Sequence, residues 1–144
     1  MKLKIKSSIK IALLGLASTL FISNAYSESA VIVNPANASQ ISKDDIADIY
    51  LGKLKRFSNG EAVVALDHQE SSDIRTQFLQ AVLDKNPVQM KSYWSRLIFT
   101  GKGVPPEILE NDAEIVKYVS KNPGAIGYIG TQSVTDKVKV ILTF

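Results

Sequence analysis

From residue 29 onward, short apolar runs alternate with stretches of helical period, and this alternation leaves few architectures open. "SAVIVN" (29–34) is a β-branched apolar run with the look of a buried strand. After the turn-rich "PANASQ", Ser42 and Asp45 have the spacing of a capping box, and "KDDIADIYLGK" follows as a helix. Ile46, Ile49 and Tyr50 share one of its faces, and Gly52 is its expected stop. Asn59-Gly60 marks a turn before a strand over Ala62–Leu66. "DIRTQFLQAVL" (73–83) predicts a second helix, with Ile74, Phe78, Leu79 and Val82 as its apolar stripe. Asn86-Pro87 breaks the chain. "VQMKSYWSRLIF" is a third helix carrying Tyr93, Trp94, Leu97 and Ile98, and "TGKGVPPE" is a loop. "DAEIVKYVSK" is a fourth helix, capped by Asn111 or Asp112. "NPGAIGYI" ends it and enters a strand. There Gly124 is expected to supply a left-handed turn and Gly127 a close approach. "DKVKVILTF" (136–144) closes the chain as a strand. Strands separated by helices predict a small α/β domain with one central sheet covered by helices.

The first residues stand apart from this pattern. Lys2, Lys4, Lys6 and Lys10 precede an apolar run from Ile11 to Ile22, which is short for a membrane span. Ser23 and Ala25 then supply small residues two apart. This is the layout of a secretory signal peptide, residues 1–25, with cleavage expected after Ala25 or after Ser27. A retained anchor helix is the competing reading. The mature domain is then 26–144, placed in the periplasm. The chain has 17 Lys+Arg and 14 Asp+Glu. Removing four leader lysines leaves 13 cations against 14 carboxylates, a net charge of −1, so the basic character of the full chain gives no support to nucleic-acid binding. There is no cysteine, which excludes disulfides, thiolate catalysis, Cys-ligated metal and a lipobox anchor.

Little of the remaining chemistry points to an enzyme. No nucleophile elbow and no phosphate-cradling glycine loop with its lysine is present. His68 is the one histidine, expected as a solvated loop residue with no metal to hold. Asp44-Asp45 and Asp112-Glu114 sit at helix starts, where carboxylates complement the helix dipole. Tyr93 and Trp94 could stack on a sugar or base, but their spacing from Leu97 and Ile98 is that of core residues. "HQESSDIRTQF" (68–78) is different. Ser71 or Ser72 can cap the helix that follows, or their hydroxyls and the free N–H groups of its first turn can hold an anion. Arg75 lies on that first turn and could reach the same anion, while Asp73 opposes it.

Several stretches together resemble periplasmic phosphate-binding proteins, the solute-binding proteins of phosphate ABC transporters. "ISKDDIADIYLGKLKRFSNGEAVVAL" is similar to that family's acidic helix, "IFLGK", aromatic residue, Asn-Gly and strand. "NPGAIGYIG" is similar to its later "pGAIGYv" segment, and "YWSRLIFTGKGVPP" resembles short single-domain members. The helix after Ser72, with Phe78 six residues on, matches the spacing of the family's Ser-Gly-Thr stretch and its following Phe. Aligned on that Phe, the family's arginine and aspartate fall on His68 and Glu70, and its triplet falls on Ser72, Asp73 and Ile74. Only the serine is kept. The resemblance implies a single small lobe of the periplasmic-binding-protein type, with a central mixed sheet flanked by helices. It implies no cofactor, no metal and no enzyme. It implies a soluble binding module in which phosphate or another small oxyanion could meet Ser71, Ser72 and Arg75. The alternative is a lobe that has lost its ligand and docks on an envelope or membrane partner such as a transporter or sensor, or weakly on a second copy.

Overall fold

The computed structural model describes residues 27–144, so the expected signal peptide and its cleavage site near Ala25 lie outside the described residues. The chain runs β1 (Ser29–Val33), α1 (Lys43–Tyr50), β2 (Val64–Asp67), α2 (Asp73–Leu83), α3 (Pro87–Phe99), β3 (Glu107–Ile108), α4 (Asp112–Lys121), β4 (Ala125–Gly130), a 3-10 turn (Thr131–Ser133) and β5 (Lys139–Thr143). The five strands form one mixed sheet in the order β3-β2-β4-β1-β5. β2 is parallel to both β3 and β4, and β1 is antiparallel to both β4 and β5. The fold is therefore a single α/β lobe with helices on both faces, as the sequence predicts.

Period-two alternation along the strands separates two cores. Val31, Val33, Ile126 and Tyr128 face α1, α2 and α3, where they meet Ile46, Tyr50, Phe78, Leu79, Met90 and Trp94. Ile32, Leu66, Ala125 and Ile129 face the opposite way, against Ile115 and Val119 of α4. Tyr128 stacks on Phe78 with ring centres 4.0 Å apart. Trp94 is a core residue, as its spacing suggests, with its indole against Gly52 and Gly103.

The helix ends follow local chemistry. Ser42 and Asp45 form the expected capping box, and Gly52 ends α1's turn at φ +71°. Asn86 and Gln89 form a second capping box ahead of Pro87, the residue that starts α3. The C-terminal carbonyls of α4 at Val119 and Ser120 accept from Asn34 Nδ2 at 2.9 and 3.1 Å, which ties α4 to the end of β1.

Two local expectations change and one holds. Gly124 does not take a left-handed conformation. A Cβ there would lie 2.2 Å from the carbonyl oxygen of Ala62, so glycine is required by backbone contact, not by its turn. Gly127 does serve close approach, since a Cβ would meet Ile115 of α4 at 2.6 Å. The stretch after α3 contains a two-residue strand, β3, although its prolines and glycines suggest loop alone. Parallel pairing of Leu66 with Glu107 and Asp67 with Ile108 creates it, an event 41 residues away in sequence that no local pattern records.

Candidate functional site

The chain leaves β2, forms β3 on one side of it, then crosses through α4 to form β4 on the other side. Such a reversal opens a crevice at the carboxyl ends of the two diverging parallel strands, and ligands of open α/β sheets settle there. By that rule the place to look for a site in this chain is beyond Asp67 and Gly130, between the starts of α2 and α4. Its walls are built in two layers.

The layer on the α2 side is an ion pair with a phenol. Asp67 faces the α1–α3 core because Leu66, before it, faces α4. Arg75 Nε donates to Asp67 Oδ2 at 3.0 Å, and the Tyr128 hydroxyl donates to Oδ1. The backbone N–H of His68 donates to Oδ1 at 2.8 Å. Burial, with the neighbouring Asp67 charge second, pushes the Tyr128 phenol well above the usual tyrosine range, and the same two causes act on Tyr50. Both hydroxyls therefore stay protonated and donate. Tyr50 donates to the carbonyl of Leu66 at 2.8 Å. A carboxylate, a guanidinium and the Tyr128 phenol thus meet at the end of β2, with the Tyr50 hydroxyl turned onto the backbone beside them.

The layer on the α4 side holds the histidine. His68 is 4 % exposed, not the solvated loop residue the sequence suggests. Its Nε2 lies 2.7 Å from the carbonyl of Tyr128, which assigns the Nε2 proton to that bond. The imidazole prolongs the β2–β4 contact past the point where the backbone ladder ends. Asp112 Oδ1 is 3.7 Å from the same Nε2. Asp112 Oδ2 accepts from the backbone N–H of Gly130 at 3.0 Å and from Ser133 Oγ at 2.7 Å. An N–H at a strand end beside a hydroxyl is a donor pair suited to an anion. Here the anion is the chain's own carboxylate, whose side chain is 24 % exposed.

The residues expected to hold an oxyanion have separate duties. Ser71 is exposed on the rim. Ser72 caps α2, its Oγ accepting from the N–H of Arg75 at 3.2 Å. Arg75 is 8 % exposed, and its charge is committed to Asp67. Asp73 is exposed at the first position of α2. Sequence reasoning missed Asp67, Tyr128, Asp112 and Ser133. The usable signal was an Asp at the very end of a strand pattern, "VALD", followed eight residues later by an arginine on a buried helix.

Among the described residues no group of three His, Asp or Glu could hold a metal ion. A groove of about 730 Å³ runs beside the start of β2 and the 101–107 loop. It is lined mainly by aliphatic residues and glycines such as Ile49, Leu54, Val63 and Gly103, with Lys55, Lys102 and Glu107 as its charged members.

No family model matches the sequence. The phosphate-binding protein PstS of Bacillus subtilis (strain 168) is 28% identical over 113 residues, covering 74% of this chain and 32% of that protein. The fold superposes on an ABC-type phosphate transport receptor from Vibrio cholerae with a TM-score of 0.60 at 19% identity, over 78% of this chain and 44% of that one. PstS from Borrelia burgdorferi matches with a TM-score of 0.58 at 15% identity, over 80% of this chain and 47% of that one. The chain thus spans about a third of the curated relative's length and under half of these structures. In sequence this chain is similar to part of a phosphate-binding protein, and its fold, a single α/β lobe, is similar to part of these phosphate receptors.

Proposed function

We propose that this chain is an exported adaptor lobe, derived from the phosphate-receptor scaffold, that contacts a transporter or sensor component of the envelope and does not act alone as a phosphate receptor. One observation carries this reading. The donors that converge at the strand-end crevice, Gly130 N–H and Ser133 Oγ, are taken by Asp112. Arg75, the nearest guanidinium, is taken by Asp67. A phosphate entering here would face two carboxylates and would have to displace one of them. Export rests on the Lys-rich start, the apolar run and the Ser23-Asn24-Ala25 site. Mass spectrometry of the exported protein should give an N-terminus at Tyr26 or within a few residues.

A second reading keeps weak oxyanion binding at Ser71, Ser72 and Arg75. It is favoured by the exposure of Ser71 and Asp73 at the start of α2, where the first N–H groups of a helix lack partners within it. Affinity there would be on the order of millimolar, about 4 kcal/mol, because exposed contacts stabilise little.

Isothermal titration against phosphate, sulfate and carboxylates separates the readings. The adaptor predicts no heat of specific binding at low millimolar anion. The second reading predicts weak binding that Arg75→Ala removes. Submillimolar phosphate affinity would overturn both. Weak self-association is a further proposal, checked by sedimentation velocity at high concentration.

A further inference from the structure

Asn59-Gly60 marks a turn in the sequence, and the turn's geometry requires the glycine. The N–H of Gly60 donates to the carbonyl of Phe57 at 2.9 Å, and the N–H of Phe57 donates to the carbonyl of Glu61 at 2.9 Å. These bonds close a three-residue loop, Ser58-Asn59-Gly60, with Gly60 at φ +87°. Glycine takes that conformation without strain. Arg56 pairs with Ala62 across the hairpin, and its Nη1 donates to the carbonyl of Gly60 at 2.9 Å. Asn59 and Gly60 are both exposed.

The pair is also chemically reactive. The backbone nitrogen that follows an asparagine can attack the carboxamide carbon of that asparagine. Attack is easiest where the following residue is glycine, since no side chain shields the nitrogen. Residues 27–144 contain six asparagines. Asn34, Asn86 and Asn122 precede proline, whose nitrogen carries no proton to lose. Asn37 precedes Ala38 and is 1 % exposed. Asn111 precedes Asp112, whose negative charge opposes loss of the amide proton. Asn59 is the one that precedes glycine. A Cβ on Gly60 would meet nothing within 4 Å, so the space beside the pair is open.

We propose that Asn59 is a site of spontaneous deamidation and that the hydrogen bonds of its hairpin set the rate. Hydroxide takes the N–H proton of Gly60, and the nitrogen attacks Cγ of Asn59. The N–Cγ bond forms, the Cγ–Nδ2 bond breaks, and Nδ2 leaves as ammonia with a proton from water. The product is a cyclic succinimide. Water then opens the ring at either carbonyl, giving aspartate or isoaspartate at position 59. The fold restrains the first step because both reacting groups are occupied. The Gly60 N–H is held by the Phe57 carbonyl, and Asn59 Oδ1 accepts from the N–H of Glu61 at 3.0 Å. Attack therefore waits for local opening of the loop. Isoaspartate lengthens the main chain of the loop by a methylene. Phe57, buried in the α1–α3 core, and the Ala62 carbonyl, close against Gly124, flank the loop and should both loosen.

The test holds the purified protein at mildly alkaline pH, native and in urea, and follows tryptic peptides by mass spectrometry. Asn59 is the only asparagine of the peptide Phe57–Arg75. That peptide should gain the mass of an amide-to-acid conversion, as separable aspartate and isoaspartate forms, sooner than any other asparagine peptide. Both loop hydrogen bonds must open, so the native rate should be about thirtyfold below the rate in urea. Arg56→Ala removes the Nη1 bond to the loop and, because Arg56 is exposed, nothing from the core. It should speed the native reaction about fivefold, read on the peptide that then starts after Lys55. Asn59→Gln should abolish the mass gain. Any of three results overturns the proposal: no gain at Asn59 in urea, equal rates in native and unfolded protein, or no acceleration in a folded Arg56→Ala.

Discussion

The starts of α2 and α4 are alike in sequence and opposite in use. Each has a polar cap followed by an aspartate at the first helical position: Ser72 then Asp73, Asn111 then Asp112. Each cap oxygen accepts from the N–H three residues on, at 3.2 and 3.0 Å. Both aspartates complement a helix dipole. Yet Asp73 is exposed, while Asp112 turns inward onto Gly130 and Ser133. Local sequence sets the cap. Whether the carboxylate is surface decoration or closes a site is decided by residues 18 and 21 positions later.

Four changes sharpen this contrast. The largest effect is expected at the shared floor of the crevice. Asp67→Asn leaves the buried Arg75 cation without its carboxylate and should cost about 3–5 kcal/mol in urea unfolding. Asp112→Ser leaves the Gly130 N–H and Ser133 Oγ unpaired in a partly exposed place, and should cost about 1–2 kcal/mol. Ser72→Ala removes a cap alone, for about 1 kcal/mol. Asp73→Asn should cost only about 0.3–1 kcal/mol, and that cost should fade at high salt. If Asp73→Asn proves as costly as Asp112→Ser, the two helix starts are not used differently.

Alkaline pH probes the α2-side layer separately. The Tyr50 and Tyr128 phenols are held above the usual range by burial, then by Asp67. Their contribution is fully present below the unfolded tyrosine value near pH ~10 and is lost as pH rises above it. Unfolding free energy should fall steeply from that point. The fall should be shallower in Tyr128→Phe, once the lower starting stability of that variant is taken into account.

Much of the fold was legible because its signals are local. The Ser42–Asp45 box, the stop at Gly52, the break at Asn86-Pro87 and the apolar faces of α1 and α2 are read within a few residues of themselves. The crevice was not legible for the opposite reason. His68 looks like a loop histidine until Tyr128, 60 residues on, offers its carbonyl. Arg75 looks like an outward first-turn cation until the pleat of β2 turns Asp67 toward it. Gly124 resembles a turn glycine, and only the Ala62 carbonyl reveals that it is a contact glycine. The resemblance to phosphate-binding proteins drew attention to the start of α2. It could not show that this chain fills the crevice with its own carboxylates.

If Asp112 occupies the place an anion would take, removing its carboxylate should open that place. Amide chemical shifts followed during phosphate titration of the wild type and of Asp112→Ser test it directly. The Gly130 and Ser133 amides should stay unmoved in the wild type and shift in saturable fashion in Asp112→Ser, at concentrations on the order of millimolar. Saturable shifts at Gly130 in the wild type, or none in a folded Asp112→Ser, would contradict it.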